Sequence, residues 1–160
     1  MSEPYDSREA TLDHIDSVRS YLHNCKTNIE RRAKHHDRSK LIDPEKSIFD
    51  IVTPKLKSLT YGSDEYKASL AEMGPALTHH YEHNSHHPEH YPDGINGMSL
   101  LDILEMLCDW KAATERHADG DYGKSLNINR DRFKIDPQTF QIIVNTAKEL
   151  GFIPRNWSPA

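Results

Sequence analysis

The sequence predicts an all-α fold, a single compact domain of about six helices, on three observations. Apolar residues recur at three- and four-residue steps in several segments. No segment alternates at period two for long, and no Asn-Gly turn sits between two β-branched runs. Helix start and stop residues also punctuate the chain at helix-sized intervals.

The first helix is expected from about Thr11 to about Ala33, with Ile15, Val18, Leu22, Cys25 and Ile29 as one buried stripe. His14 lies at the edge of that stripe. A short segment, His35 to Leu41, follows. Asp43-Pro44 reads as an N-cap with proline at the first helical position. The helix it opens carries Ile48, Phe49, Ile51 and Val52, and Pro54 should bend or restart it. Tyr61-Gly62 is a break, and Ser63 caps a helix with Tyr66, Leu70 and Met73 on its inner side. Gly74-Pro75 interrupts this helix before a further turn reaches His79 and His80. Residues 84–98 hold two prolines and two glycines and are expected to be a loop. Ser99 and Asp102 form a capping-box-like start to the most apolar helix, Leu100 to about His117. Asp119-Gly120-Asp121 turns into a helix over Tyr122 to Phe133. Asp136-Pro137 opens the last helix, and Gly151 closes it. The expected organisation is a flexible N-terminus over 1–10, one helical domain over 11–151, and an extended tail over 152–160 that packs through Trp157.

Composition narrows the function. Of 160 residues, 36% are hydrophobic, and no run of about 18 apolar residues offers a membrane span. The N-terminus lacks the basic-then-apolar signal pattern, so the expected location is cytoplasmic. Cys25 and Cys108 lie in apolar-periodic segments and read as buried free thiols. A net charge of −5 argues against a nucleic-acid backbone as the main partner. Histidine is the outlier: there are eleven, six of them between His79 and His90. Histidine is the commonest metal ligand and titrates near neutral pH. The tract is interleaved with Tyr81, Asn84, Pro88, Glu89 and Tyr91, unlike a tag or a homopolymeric metal sponge.

Four groups of residues can carry chemistry. His36-Asp37 is a common dipeptide that matters only beside other ligands. Asp102, Glu105 and Asp109 share one face of the most apolar helix at i, i+3 and i+7. The bland account makes that face the solvent side, but Cys108 and Trp110 flank Asp109 and favour its burial. In the histidine tract, a metal takes few ligands, so some histidines must play supporting roles. The cations Lys40, Lys124 and Arg130, with Arg132 beside the last, suit a phosphate. Lys40 is the best placed, one helical turn beyond His36 and Asp37. Neither a G-x-S-x-G elbow nor a phosphate-cradling loop is present.

In order, these residues are His14, His36-Asp37 with Lys40, the histidine tract and Asp109. That order resembles the HD-domain superfamily, helical metal-dependent phosphohydrolases with an H…HD…D signature. His14-Ile15-Asp16-Ser17-Val18 resembles its first-histidine helix, and His36-Asp37-Arg38-Ser39-Lys40 resembles its HD-x-x-K segment. His86 to Gly94 is similar to the HH-E…DG stretch of the HD-GYP branch, and Leu104 to Ala113 is similar to the helix bearing the last Asp. Ile95-Asn96-Gly97 stands where that branch has Gly-Tyr-Pro, which argues against cyclic-dinucleotide hydrolysis. The combination HHDRSK, HH-x-x-x-N-x-HH and LLDILEMLCDWKAA is also similar to a small uncharacterised family common in phage and bacterial genomes, over about residues 11 to 147.

The resemblance implies an HD-like metal-binding domain that hydrolyses a nucleotide or another small phosphate ester. His14, His36, Asp37 and Asp109 would hold one ion, with His23 a rival to His14. Asp37 would bridge to a second ion held by His80, His86 and His87. Lys40, with Lys124 or Arg130, would bind substrate phosphate, and Asp37 and Lys40 would be the catalytic pair. Mixed imidazole and carboxylate donors suit Mn, Fe, Co, Ni or Zn, as one ion or two. The rival expectation is a metal-binding or regulatory module without turnover on the same scaffold.

Overall fold

A computed structural model describes residues 5–58, 64–116 and 120–160. The protein is all-α: among the described residues there are seven α-helices and three short 3-10 helices, and no strand. They are α1 (Arg8–His35), α2 (Glu45–Ser58), α3 (Asp64–Glu72), α4 (Gly74–His83), α5 (Leu100–Thr114), α6 (Tyr122–Arg132) and α7 (Pro137–Glu149). The chain divides into two compact units, residues 1–36 and 37–160. No helix among the described residues is long and apolar enough to cross a membrane.

The first unit is α1. It outruns its apolar stripe by several residues at its start, because Arg8, Glu9 and Ala10 are good helix formers. The stripe expected to be buried is exposed: Leu22 is 63% exposed and Ile15 44%, and no residue of α1 is buried. Periodicity marks which face of a helix is apolar, and within this unit a lone helix has no second layer to bury it. Cys25 is accordingly an exposed thiol, as is Cys108 on α5, and both are free.

The second unit begins at Asp37, whose backbone is left-handed at φ 56. A 3-10 helix over Arg38–Leu41 follows. Asp43 caps α2 by accepting the Ser47 N–H, and the helix starts at Glu45, just after Pro44. Pro54 lies inside α2 without ending it, so the helix runs on past the backbone bond that proline removes. Tyr61, Gly62 and Ser63, and the side chains of Tyr66 and Leu70, lie outside the described residues. Met73 is buried, and α3 gives way to α4 at Gly74-Pro75 as expected. The 84–98 stretch is more ordered than a plain loop, with 3-10 turns at Pro88–His90 and Gly94–Gly97.

The last three helices show the expected caps. Ser99 and Asp102 close a full capping box on α5, which ends at Thr114, three residues earlier than expected. Asp121 caps α6 through the Lys124 N–H, and Asp136 caps α7 through the N–H groups of Gln138 and Thr139. Past α7, the N–H of Phe152 donates to the Ala147 carbonyl and that of Gly151 to the Lys148 carbonyl. This Schellman motif needs the left-handed backbone that Gly151 supplies at φ 71. Leu107, Leu126, Phe140, Ile143, Val144 and Ala147 form the apolar core with Trp157 packed against it. Trp157 lies so close to Gly123 that an added Cβ there would sit 2.2 Å from its Nε1.

Candidate metal centre

Three loosely related stretches of the second unit meet at one point. Asp37 comes from the left-handed turn, His80 from α4, and His86 and His87 from the stretch after it. Each offers a donor atom, and the four atoms lie within 4.8 Å of one another. The separations are close: His80 Nε2 is 2.9 Å from His87 Nε2 and 3.3 Å from Asp37 Oδ1, and His86 Nε2 is 3.5 Å from the same oxygen. Bonds of about 2.0–2.1 Å to a central ion put neighbouring ligands about 3.3 Å apart in a tetrahedron. In an octahedron they put them about 3 Å apart. These three separations fall in the range that neighbouring ligands of a divalent ion require, and the group could hold one.

Burial and electrostatics support the same role. His80 and His86 are 1% and 2% exposed, positions where imidazoles need partners on both nitrogens. Burial pulls the Asp37 carboxyl upward. Hydrogen bonds with His80, His86 and Lys40 outweigh it and hold the group well below the usual carboxylate range. Burial, with His86 and His80 alongside, pushes His87 down to about 3. Its imidazole is thus neutral at physiological pH, the form that binds metal. Lys40 Nζ sits 2.7 Å from Asp37 Oδ2, leaving Oδ1 to the histidines.

Behind the donors stands a shell of polar groups. His80 Nδ1 is 2.9 Å from Glu45 Oε2, and His86 Nδ1 is 3.3 Å from Glu105 Oε1. Burial raises Glu45, but hydrogen bonds from His79, Ser39 and His80 bring it below its ordinary value. Asp109 presents a carboxylate oxygen within 4.8 Å of one on Asp37, and its charge acts on His87. Of the carboxylate face on α5, then, Glu105 and Asp109 turn toward the cluster. Asp102 is buried and accepts from the hydroxyls of Ser85, Tyr91 and Ser99.

Within the second unit the structure thus brings together Asp37, Lys40, His80, His86, His87 and Asp109 of the residues singled out from sequence. In the first unit, His14 and His23 lie on the exposed surface of α1, and His36, the unit's last residue and the chain neighbour of Asp37, caps that helix through its N–H to the Arg32 carbonyl. Lys124 is exposed on α6. Arg130 donates to Asp131 and to the carbonyl of Ala160. Its neighbour Arg132 reaches the histidine tract instead, donating to Glu89 at 2.7 Å and hydrogen bonding with Tyr81, whose ring is 5.1 Å from that of His87. Sequence reasoning passed over Glu45 and gave no role to Ser39 or Asn84. A glutamate in the first turn of a helix is so common a dipole partner that nothing local sets Glu45 apart.

No curated protein and no solved structure matches the chain. One family model does, over residues 3–149, a stretch that contains every residue of the cluster. The chain belongs to that family, described as a family of unknown function (DUF5662).

Proposed function

We propose that the protein is a metal-dependent phosphohydrolase acting on a nucleotide or another small phosphate ester, with its centre at Asp37, His80, His86 and His87. The observation that carries this reading is the convergence of three imidazole nitrogens on one carboxylate oxygen in a buried site. The resemblance to HD-domain phosphohydrolases supplies the reaction class, an argument by analogy. The donor set favours Mn, Fe, Co, Ni or Zn over Ca or Mg. Such an ion supplies Lewis acidity toward a phosphoryl oxygen and lowers the pKa of water toward about 7.

The chain's own residues have separable tasks. His80, His86 and His87, with ionised Asp37, would hold the cation. Lys40, 34% exposed and paired with Asp37 Oδ2, fixes the carboxylate and offers positive charge to an incoming phosphate. Arg132 lies nearer the tract than Arg130 and is the better candidate for a second phosphate contact. Asp109 adds negative charge beside Asp37, which favours a divalent ion over a monovalent one.

A second reading has an observation of its own: the group offers four protein donors. Four protein ligands would close a zinc site, leaving no position for water or substrate. The protein would then be a zinc-stabilised binding module without turnover. An ion that takes more than four ligands would keep positions open. Purified protein loaded separately with Mn, Co and Zn and assayed against nucleotides and p-nitrophenyl phosphate distinguishes the two. The hydrolase reading expects turnover with Mn or Co that falls at least about 100-fold in Asp37→Ala while the helical circular dichroism persists. Tight stoichiometric zinc and no turnover with any of the three ions would overturn it in favour of the module.

A further inference from the structure

Glu45 is a charged residue with no exposed surface. Burying a carboxylate is costly unless its lone pairs are filled, and here they are. Oε1 lies 2.7 Å from His79 Nδ1, and Oε2 lies 2.9 Å from His80 Nδ1 and accepts the Ser39 hydroxyl at 3.1 Å. Asn84 Nδ2 donates to Ser39 Oγ and to the His80 carbonyl, each at 2.8 Å, which pins the hydroxyl and the histidine backbone together.

The direction of these bonds has a chemical outcome. An ionised carboxylate only accepts, and both His80 nitrogens face one: Nδ1 faces Glu45, and Nε2 lies 3.3 Å from Asp37 Oδ1 and 2.9 Å from His87 Nε2. A cation held in the cluster would take the Nε2 lone pair. The one N–H of the ring would then be on Nδ1, donated to Glu45. Asn84 Nδ2, 3.0 Å from the same Nδ1, has its two hydrogens on Ser39 Oγ and the His80 carbonyl. His86 repeats the pattern, with Nδ1 at 3.3 Å from Glu105 Oε1 and Nε2 at 3.5 Å from Asp37 Oδ1. One carboxylate comes from the start of α2 and the other from the middle of α5.

We propose that Glu45, with Glu105 as its counterpart, is a positioning residue that fixes the tautomer and ring orientation of a histidine ligand so that Nε2 faces the metal. The proposal rests on the reading of the cluster as a metal centre and is independent of which reaction, if any, the centre performs. Carboxylates placed this way strengthen a histidine's hold on metal, and their loss typically lowers affinity about 10–100-fold.

The test uses the full chain and zinc, which is diamagnetic. Isothermal titration of wild type, Glu45→Gln and Glu105→Gln is paired with long-range proton–nitrogen NMR of the histidine rings in zinc-loaded wild type. We expect Glu45→Gln to bind zinc about 10–100-fold more weakly with the same stoichiometry, and Glu105→Gln to weaken it by a smaller factor. The spectra should show His80 and His86 bound through Nε2 with Nδ1 protonated. A merely structural role for Glu45 would lower thermal stability and leave the affinity of the folded chain and the tautomer alone. Affinity within threefold of wild type in a folded Glu45→Gln, or Nδ1 coordination at His80, overturns the proposal. The wild-type spectra decide it even if Glu45→Gln fails to fold. Absence of zinc binding in wild type would instead overturn the metal reading, and this proposal with it.

Discussion

The apolar cluster of α6 and α7 and the polar cluster around Asp37 are both buried within residues 37–160, and for opposite reasons. Leu126, Val144 and Ala147 are wholly inaccessible because removing their surface from water is favourable by itself. Glu45, His80 and His86 are as deeply buried, yet each needs a specific partner to stay there. In the first cluster any well-shaped hydrocarbon serves. In the second, atom-by-atom complementarity decides the outcome, and a cation at its centre would be held by donor atoms that lie within 4.8 Å of one another. The difference teaches that stability and the candidate chemistry are housed in separate groups of residues, so substitutions should separate them.

The largest expected effect comes from the apolar side. Phe140→Ala should cost about 3–5 kcal/mol of unfolding free energy, as removal of a buried aromatic ring usually does. Urea denaturation measures it, and titration of the fraction still folded should give a metal affinity within threefold of wild type. A parallel loss of affinity would break the proposed separation.

Next comes metal removal. Metal at 100 times its dissociation constant should stabilise the wild type by about 2.7 kcal/mol through mass action. A chelator should reverse that gain in a thermal melt. Asp37→Ala should melt at the same temperature with and without metal, and a persisting metal-dependent shift would place the ion elsewhere.

The smallest effect concerns a buried carboxylate outside the metal cluster. Burial raises the Asp102 carboxyl, but the hydroxyls of Ser85, Ser99 and Tyr91 and the Ser99 N–H outweigh it and hold the group at about 2. Its folded value lies below its unfolded one, so its contribution is complete above about pH 4 and is lost as pH falls through 2. After allowance for solvent screening this amounts to about 1–2 kcal/mol. Asp102→Asn should flatten the acid limb of stability between pH 4 and 2. An unchanged limb would show that the capping hydrogen bonds do not favour the ionised form.

What was legible in the sequence followed from how local each signal is. Ser99, Asp136 and Gly151 act on backbone groups within a few residues, and all three caps formed as read. The histidine tract advertised metal by composition, and His80, His86 and His87 do meet Asp37. The roles of Asp102, Glu105 and Asp109 could not be told apart, because spacing puts them on one face of α5 without saying what lies opposite. The exposed stripe of α1 fails for the same reason: a pattern specifies a surface, and only tertiary structure supplies its cover. Glu45 was hidden most completely, since its partner is 35 residues away.

The left-handed backbone at Asp37 sets the evolutionary freedom of this position. Glycine, asparagine and aspartate adopt φ 56 at the least cost, though Lys134 also stands at φ 50. A library randomised at codon 37 would therefore pass two filters in turn: stability would favour those three residues, and metal retention would favour aspartate among them. Glutamate, the ordinary chemical substitute, would carry about 1–2 kcal/mol of backbone strain into the folded state before its charge could count. The turn and the candidate ligand are one residue, and neither can drift without the other.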